Sequence, residues 1–101
     1  MDIRTVFGLN MRRLRLPKKL TQEEAGDLMN LERAHFGRIE QGVQNVTLDT
    51  VDRVSRILNC EWGELFDKRA AAEFAGTMRT KAPRTVNRKA TKRKRRAVVR
   101  V

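Results

Sequence analysis

The sequence predicts an all-α domain carrying a basic, disordered C-terminal tail. Three observations predict it. Apolar residues recur at helical spacing in short blocks over residues 1–68. No stretch alternates with the period of two that a half-buried strand requires. All 12 acidic residues lie within 1–75, where 12 basic residues balance them, and the remaining 11 basic residues fall in 76–101. The net charge of +11 therefore belongs to the tail and not to the domain.

Ile3, Val6, Phe7, Asn10, Met11 and Leu14 mark the inner face of a first helix. It ends near Leu16, because Pro17 forces its predecessor away from helical geometry. Thr21-Gln22-Glu23-Glu24 reads as a capping box in which Thr21 and Glu24 satisfy each other's backbone N–H groups. The helix it opens runs to about Met29, with Ala25, Leu28 and Met29 available for burial, and Asn30 tolerates the left-handed turn that follows. A third helix spans Glu32 to Gln41 with Phe36 and Ile39 inward, closed by Gly42 as a left-handed cap. Val43 to Val46 is loop. Thr47 caps a fourth helix whose stripe is Leu48, Val51, Val54, Ile57 and Leu58. A short fifth helix, Glu61 to Phe66, supplies Trp62, Leu65 and Phe66 as plugs. Five helices are expected in all.

Composition excludes several functions. One cysteine, Cys60, permits neither an internal disulfide nor a Cys-based zinc site, and one histidine, His35, rules out His-pair metal sites. No apolar run approaches the roughly 18 residues of a membrane span, and the N-terminus lacks a signal-peptide layout. There is no phosphate-cradling glycine loop and no nucleophile–base pair. An enzyme is a poor reading, with no cofactor and no metal expected. His35 is expected as a groove-side surface residue and Cys60 as a small buried plug.

The tail, taken as residues 69–101 beyond a domain of 1–68, contains the run Lys92-Arg93-Lys94-Arg95-Arg96. Its self-repulsion and poor hydrophobicity cannot offset chain entropy, so it is expected to be disordered when free. A single-sign block releases counterions on meeting nucleic acid, which gives affinity without sequence information. A solubilising tail with no specific partner is the plainer reading. An acidic membrane surface attracts the same charge, but the bulky apolar face such binding needs is missing.

Two short helices joined by a tight turn, the first capped and the second ended by glycine, have helix-turn-helix spacing. That geometry projects the second helix outward, where its N-terminal part can enter a DNA major groove, although helix-turn-helix shapes also occur in purely structural settings. Thr21-Gln22-Glu23-Glu24-Ala25-Gly26 followed by Arg38-Ile39-Glu40-Gln41-Gly42 resembles the Cro and lambda-repressor-like (Xre-type) helix-turn-helix domain. The flanks Arg12-Arg13-Leu14-Arg15, Thr47-Leu48-Asp49-Thr50-Val51 and Ile57 to Phe66 agree, so the resemblance covers about residues 6–67. It implies a compact five-helix DNA-binding domain, usually dimeric, that acts as a transcriptional regulator.

Residue by residue, the resemblance makes Glu32 to Gln41 the recognition helix, with Glu32, Arg33, Ala34 and Arg38 facing bases. Arg33 and Arg38 are the expected readers, since a guanidinium fork matches the O6/N7 edge of guanine. The alternatives are a phosphate clamp for Arg33 and a surface ion pair for Arg38. Backbone-side contacts fall on Thr21, Gln22, His35, Gln44 and Asn45. Arg15 and Glu40 match a partly buried structural ion pair. Gly26 stands where a small alanine is usual, Ala25 where a larger aliphatic is, and Glu32 where a Ser or Thr cap is common.

The expected partner is double-stranded DNA, bound by a homodimer at a roughly palindromic site with half-sites about 10 base pairs apart. The fifth helix and nearby loop, around Trp62, Leu65 and Phe66, are the expected dimer surface. A phage- or plasmid-type repressor, an antitoxin and a controller of restriction–modification genes remain open, and Arg33 with Asn45-Val46-Thr47-Leu48 is mildly similar to the controllers. No small-molecule effector or membrane partner is expected, and the location is cytoplasmic at the nucleoid. The competing class is a nonspecific nucleoid- or RNA-binding architectural protein driven by the tail.

Overall fold

Residues 1–81 are described by the computed structural model, and among them every regular element is helical. The order is α1 (Ile3–Arg15), a 3-10 turn (Leu16–Lys18), α2 (Gln22–Leu28), α3 (Arg33–Glu40), α4 (Leu48–Leu58), α5 (Trp62–Leu65) and α6 (Lys68–Lys81). Local chemistry accounts for most boundaries. The Asp2 carboxylate accepts the Arg4 N–H at 2.7 Å to start α1, and Pro17 converts its end into the 3-10 turn. The Thr21–Glu24 box closes at 3.0 and 2.9 Å as expected. Thr47 caps α4 by accepting from the Thr50 N–H. Asn30, Gly42 and Asn59 all take the left-handed conformation that ends a helix or turns the chain.

The core gathers one face from each of α1–α5: Met11, Met29, Phe36, Ile39, Val54 and Leu65 are each at most 1% exposed. Phe36 and Met29 lie fully buried with the small Ala25, as its size requires. Several expected core positions fall outside. Leu48 is 86% exposed because it begins α4 one turn ahead of the buried Val51, Val54 and Leu58. Ile3 and Leu28, at the ends of their helices, are exposed as well. Cys60 is half-buried against the core, where burial, reinforced by Glu64 and Glu61, pushes its thiol pKa up.

Glycines mark the closest approaches. A Cβ on Gly8 would collide with the carbonyl oxygens of Ile39 and Glu40, so α1 crosses the end of α3 at backbone contact. A Cβ on Gly26 would stand 2.8 Å from the Leu31 carbonyl oxygen, while the Leu31 N–H donates to the Gly26 carbonyl at 2.7 Å. Glycine at this departure from the family pattern lets the turn between α2 and α3 fold back.

The five-helix expectation is one helix short. α6 crosses the expected boundary between domain and tail and packs along α1 through the buried Ala71, with Phe74 half-buried. Its start is signalled by Asp67, whose carboxylate accepts the Ala70 N–H at 2.9 Å, and by the strong helix formers Ala70-Ala71-Ala72. Asn10 on α1 holds this corner. Its buried amide donates to the carbonyls of Leu65 at 3.1 Å and Asp67 at 3.0 Å, and its oxygen accepts from Arg13.

Two outcomes are expected from these contacts. Asn10→Leu strands the Leu65 carbonyl, since that of Asp67 still accepts the Ala71 N–H, and costs about 1–3 kcal/mol, read by urea unfolding, with amide exchange accelerating first in α6. Unchanged α6 protection would mean packing alone holds the helix. The Cys60 thiol stays protonated at neutral pH, so it reacts with iodoacetamide more slowly in the native protein than in urea. Its contribution to stability is present below the ordinary thiol pKa and is lost as pH rises through the raised one.

Candidate nucleic-acid interface

Helix α3, the expected recognition helix, is short, and its apolar side is spent on the core through Phe36 and Ile39. Its other side therefore faces out. Glu32, Arg33, Ala34 and Arg38 are all exposed or at the rim of the surface, and His35 is half-buried at the edge. Glu32 takes the cap position without a side-chain hydrogen bond to the helix, which leaves its carboxylate projecting at the positive end of the helix dipole. The surface-ion-pair alternative for Arg38 finds no support among the described residues. Its Nε instead donates to the Gln44 oxygen at 3.2 Å, tying the helix to the following loop, where Asn45 is exposed.

Arg15 and Glu40 form the expected buried pair. Arg15 Nε meets Glu40 Oε2 at 2.6 Å and Nη2 meets Oε1 at 3.0 Å, with side chains 7% and 2% exposed. Arg15 Nη1 donates to the Leu20 carbonyl at 2.7 Å, and its guanidinium lies 6.0 Å from the Phe36 ring centre. Gln22 joins this network: its amide donates to Glu40 Oε1 at 2.9 Å. One of the two amide hydrogens is thereby committed inside the protein, so the residue expected on phosphate is also a brace between α2 and α3. Thr21, exposed beside it, accepts the Glu24 N–H in the cap and keeps its hydroxyl hydrogen to donate.

Sequence reasoning missed a second brace. Arg53 on α4 donates to the Met29 carbonyl at 3.0 Å and so closes the end of α2 where the chain turns toward α3. A lone arginine on a polar helix face carries no signal of such a role.

The expected dimer surface divides. Leu65 is fully buried within its own chain and has no area to offer a partner. Trp62, one turn earlier on the same short helix, is 62% exposed. Phe66 packs on Phe7 with ring centres 5.4 Å apart and keeps one edge in solvent. The run Lys92 to Arg96 lies outside the described residues. Among those described, no cluster of side chains is arranged to hold a metal ion, and no helix is long and apolar enough to cross a membrane.

An outward helix braced against a capped partner across a tight turn is the helix-turn-helix arrangement, which can present its second helix to a DNA major groove. The chain belongs to the helix-turn-helix family, HTH_3, which matches residues 11–65. It is similar to the control protein C.BamHI of Bacillus amyloliquefaciens, at 34% identity over 65% of this chain and 83% of the relative. Control protein C.MunI of a Mycoplasma species is 35% identical over 64% of this chain and 89% of its own. Among solved structures, the restriction-modification controller protein C.AhdI from Aeromonas hydrophila superimposes with a TM-score of 0.59 at 36% identity, covering 62% of this chain and 91% of that one. The protein is a non-enzymatic DNA-binding regulator of this family.

Removing one partner of the buried pair isolates the other charge. Arg15→Met or Glu40→Met alone should cost about 3–5 kcal/mol, and the double replacement much less than their sum. Additive losses in denaturant titrations would show that the two side chains act independently.

Proposed function

We propose that this regulator is a controller of the restriction–modification kind, which binds a roughly palindromic operator upstream of its own gene as a homodimer. The observation that carries the reading is the similarity, over most of their lengths, to proteins named as control proteins, one of them a restriction-modification controller. The dimer places two α3 helices in successive major grooves, about one helical turn apart. Arg33 and Arg38 read bases, while Gln22, Thr21, His35, Gln44 and Asn45 hold the sugar–phosphate backbone. Trp62, with the open edge of Phe66, supplies the apolar centre of the dimer surface. The tail from 76 onward, all of one sign, adds affinity on any sequence and keeps the protein at the nucleoid.

The decisive experiment is a footprint of the full chain on DNA upstream of its gene, with excess random duplex. A protected two-fold site supports the controller reading. Uniform coating with no protected site overturns it in favour of an architectural protein driven by the tail, the reading that the 11 basic residues of 76–101 favour.

Arg38→Ala is expected to cost about 1–3 kcal/mol on the operator and little on random DNA. Equal loss on both would reduce Arg38 to a phosphate clamp. Ending the chain at Lys81 should lower affinity on all sequences and flatten the salt dependence by about 0.9 for each phosphate no longer neutralised. Trp62→Glu should shift sedimentation from dimer to monomer.

A further inference from the structure

Arg12 on α1 is the anomaly of the folded body. Its side chain is largely withdrawn from solvent, and its Nε is fully buried with no hydrogen-bond partner among the described residues. The ion pairs formed by the described residues do not include it. The charges that act on it are Glu40, which favours its charged form, and Arg15, which opposes it. Glu40 is already engaged by three donors, two from Arg15 and one from Gln22. The cluster therefore holds two guanidiniums against one carboxylate and lacks one negative charge.

Burying an unpaired guanidinium destabilises a free protein, and burial accordingly lowers the Arg12 pKa. Such an arrangement makes sense where an anion arrives from outside. Position supports this. Arg12 lies one turn before Arg15 on the edge of α1 that also carries Gly8, where α1 touches the end of α3. The same cluster includes Gln22, at the start of α2 beside the recognition helix.

We propose that Arg12 is a further DNA ligand, held without a protein partner beside the Arg15–Glu40 pair so that a phosphodiester oxygen of the bound strand supplies the missing anion. The step is an association only: the guanidinium exchanges residual water for a phosphate oxygen and a counterion leaves the DNA. The inference rests on DNA binding by the domain and not on the controller reading, because phosphate is the same on every sequence.

The test uses the full chain and a random-sequence duplex, with affinity followed by the fluorescence anisotropy of a dye on the duplex across a salt series. Arg12→Met should reduce the slope of log affinity against log salt by about 0.9, the value of one phosphate contact. Its melting temperature without DNA should equal or exceed that of the unsubstituted protein, because a buried unpaired charge has gone. Arg12→Lys should keep the slope. A purely structural Arg12 gives the opposite pattern: a lower melting temperature and an unchanged slope for Arg12→Met. Should Arg12→Met fail to fold, the Nε–H resonance of Arg12 in the unsubstituted protein decides. Saturating duplex must shift it and slow its exchange with water, and a resonance that ignores DNA overturns the proposal even while the tail binds.

Discussion

The Arg15–Glu40 pair is the contact on which the geometry of the helix-turn-helix depends. It joins the end of α1 to the end of α3, and through Leu20 and Gln22 it also holds the entry to α2. Removing two charges from water costs several kcal/mol per ion, and a fork-to-carboxylate contact with further donors roughly repays it. The pair is thus weak evidence for net stability and stronger evidence for a unique arrangement. A hydrophobic pair of equal volume would fill the space but would lack the directional contacts that tie the end of α3 to α1 and α2. Direction matters on so short a helix, since a small rotation moves every outward side chain.

Asn10 applies the same logic at the junction of α1 with the last two helices. α5 has only four residues and α2 only seven, too few for helices to persist without tertiary support. Polar side chains that grasp carbonyls compensate: Asn10 holds the corner between α5 and α6, Arg13 the Glu64 carbonyl, and Arg53 the end of α2. Each satisfies a carbonyl that a short helix leaves open. The hydrophobic core sets which faces turn inward, and these side chains set the angles between elements that share too little surface to set them alone.

How legible this was depended on the kind of signal. Caps and left-handed turns at Thr21, Asn30, Gly42 and Thr47 were readable because their effect is local and falls within four residues. The outward placement of Arg33, Ala34 and Arg38 followed from the burial of Phe36 and Ile39 on the same short helix. The reach of Asn10 across 55 residues to Leu65 left no local trace, and an asparagine amid apolar neighbours looks like a lapse in the stripe. α6 was hidden differently. The apolar pattern and the resemblance stop near Phe66 and so place the boundary at 68, although Asp67 and three alanines signal a helix start as plainly as Thr21 does. Leu65 and Trp62 show the remaining gap: three residues apart on a helix of one turn, they share a side, so spacing cannot decide which is covered.

The separation of charge along the chain bears on discrimination. A block that meets only phosphates adds nearly the same free energy at every site, so it raises occupancy of operator and random DNA together and leaves their ratio unchanged. Discrimination must then come from the folded body, which over residues 1–75 is formally neutral. Neutrality helps here. With acids such as Glu23 and Asp27 offsetting its arginines, the body gains little from phosphates at large, and a greater share of its binding energy comes from where individual cations stand. Arg15 is withdrawn from that surface by Glu40, while Arg33 and Arg38 are left on it with no ion-pair partner among the described residues. Which arginines are satisfied inside the protein thus decides which are left at the surface for an outside anion.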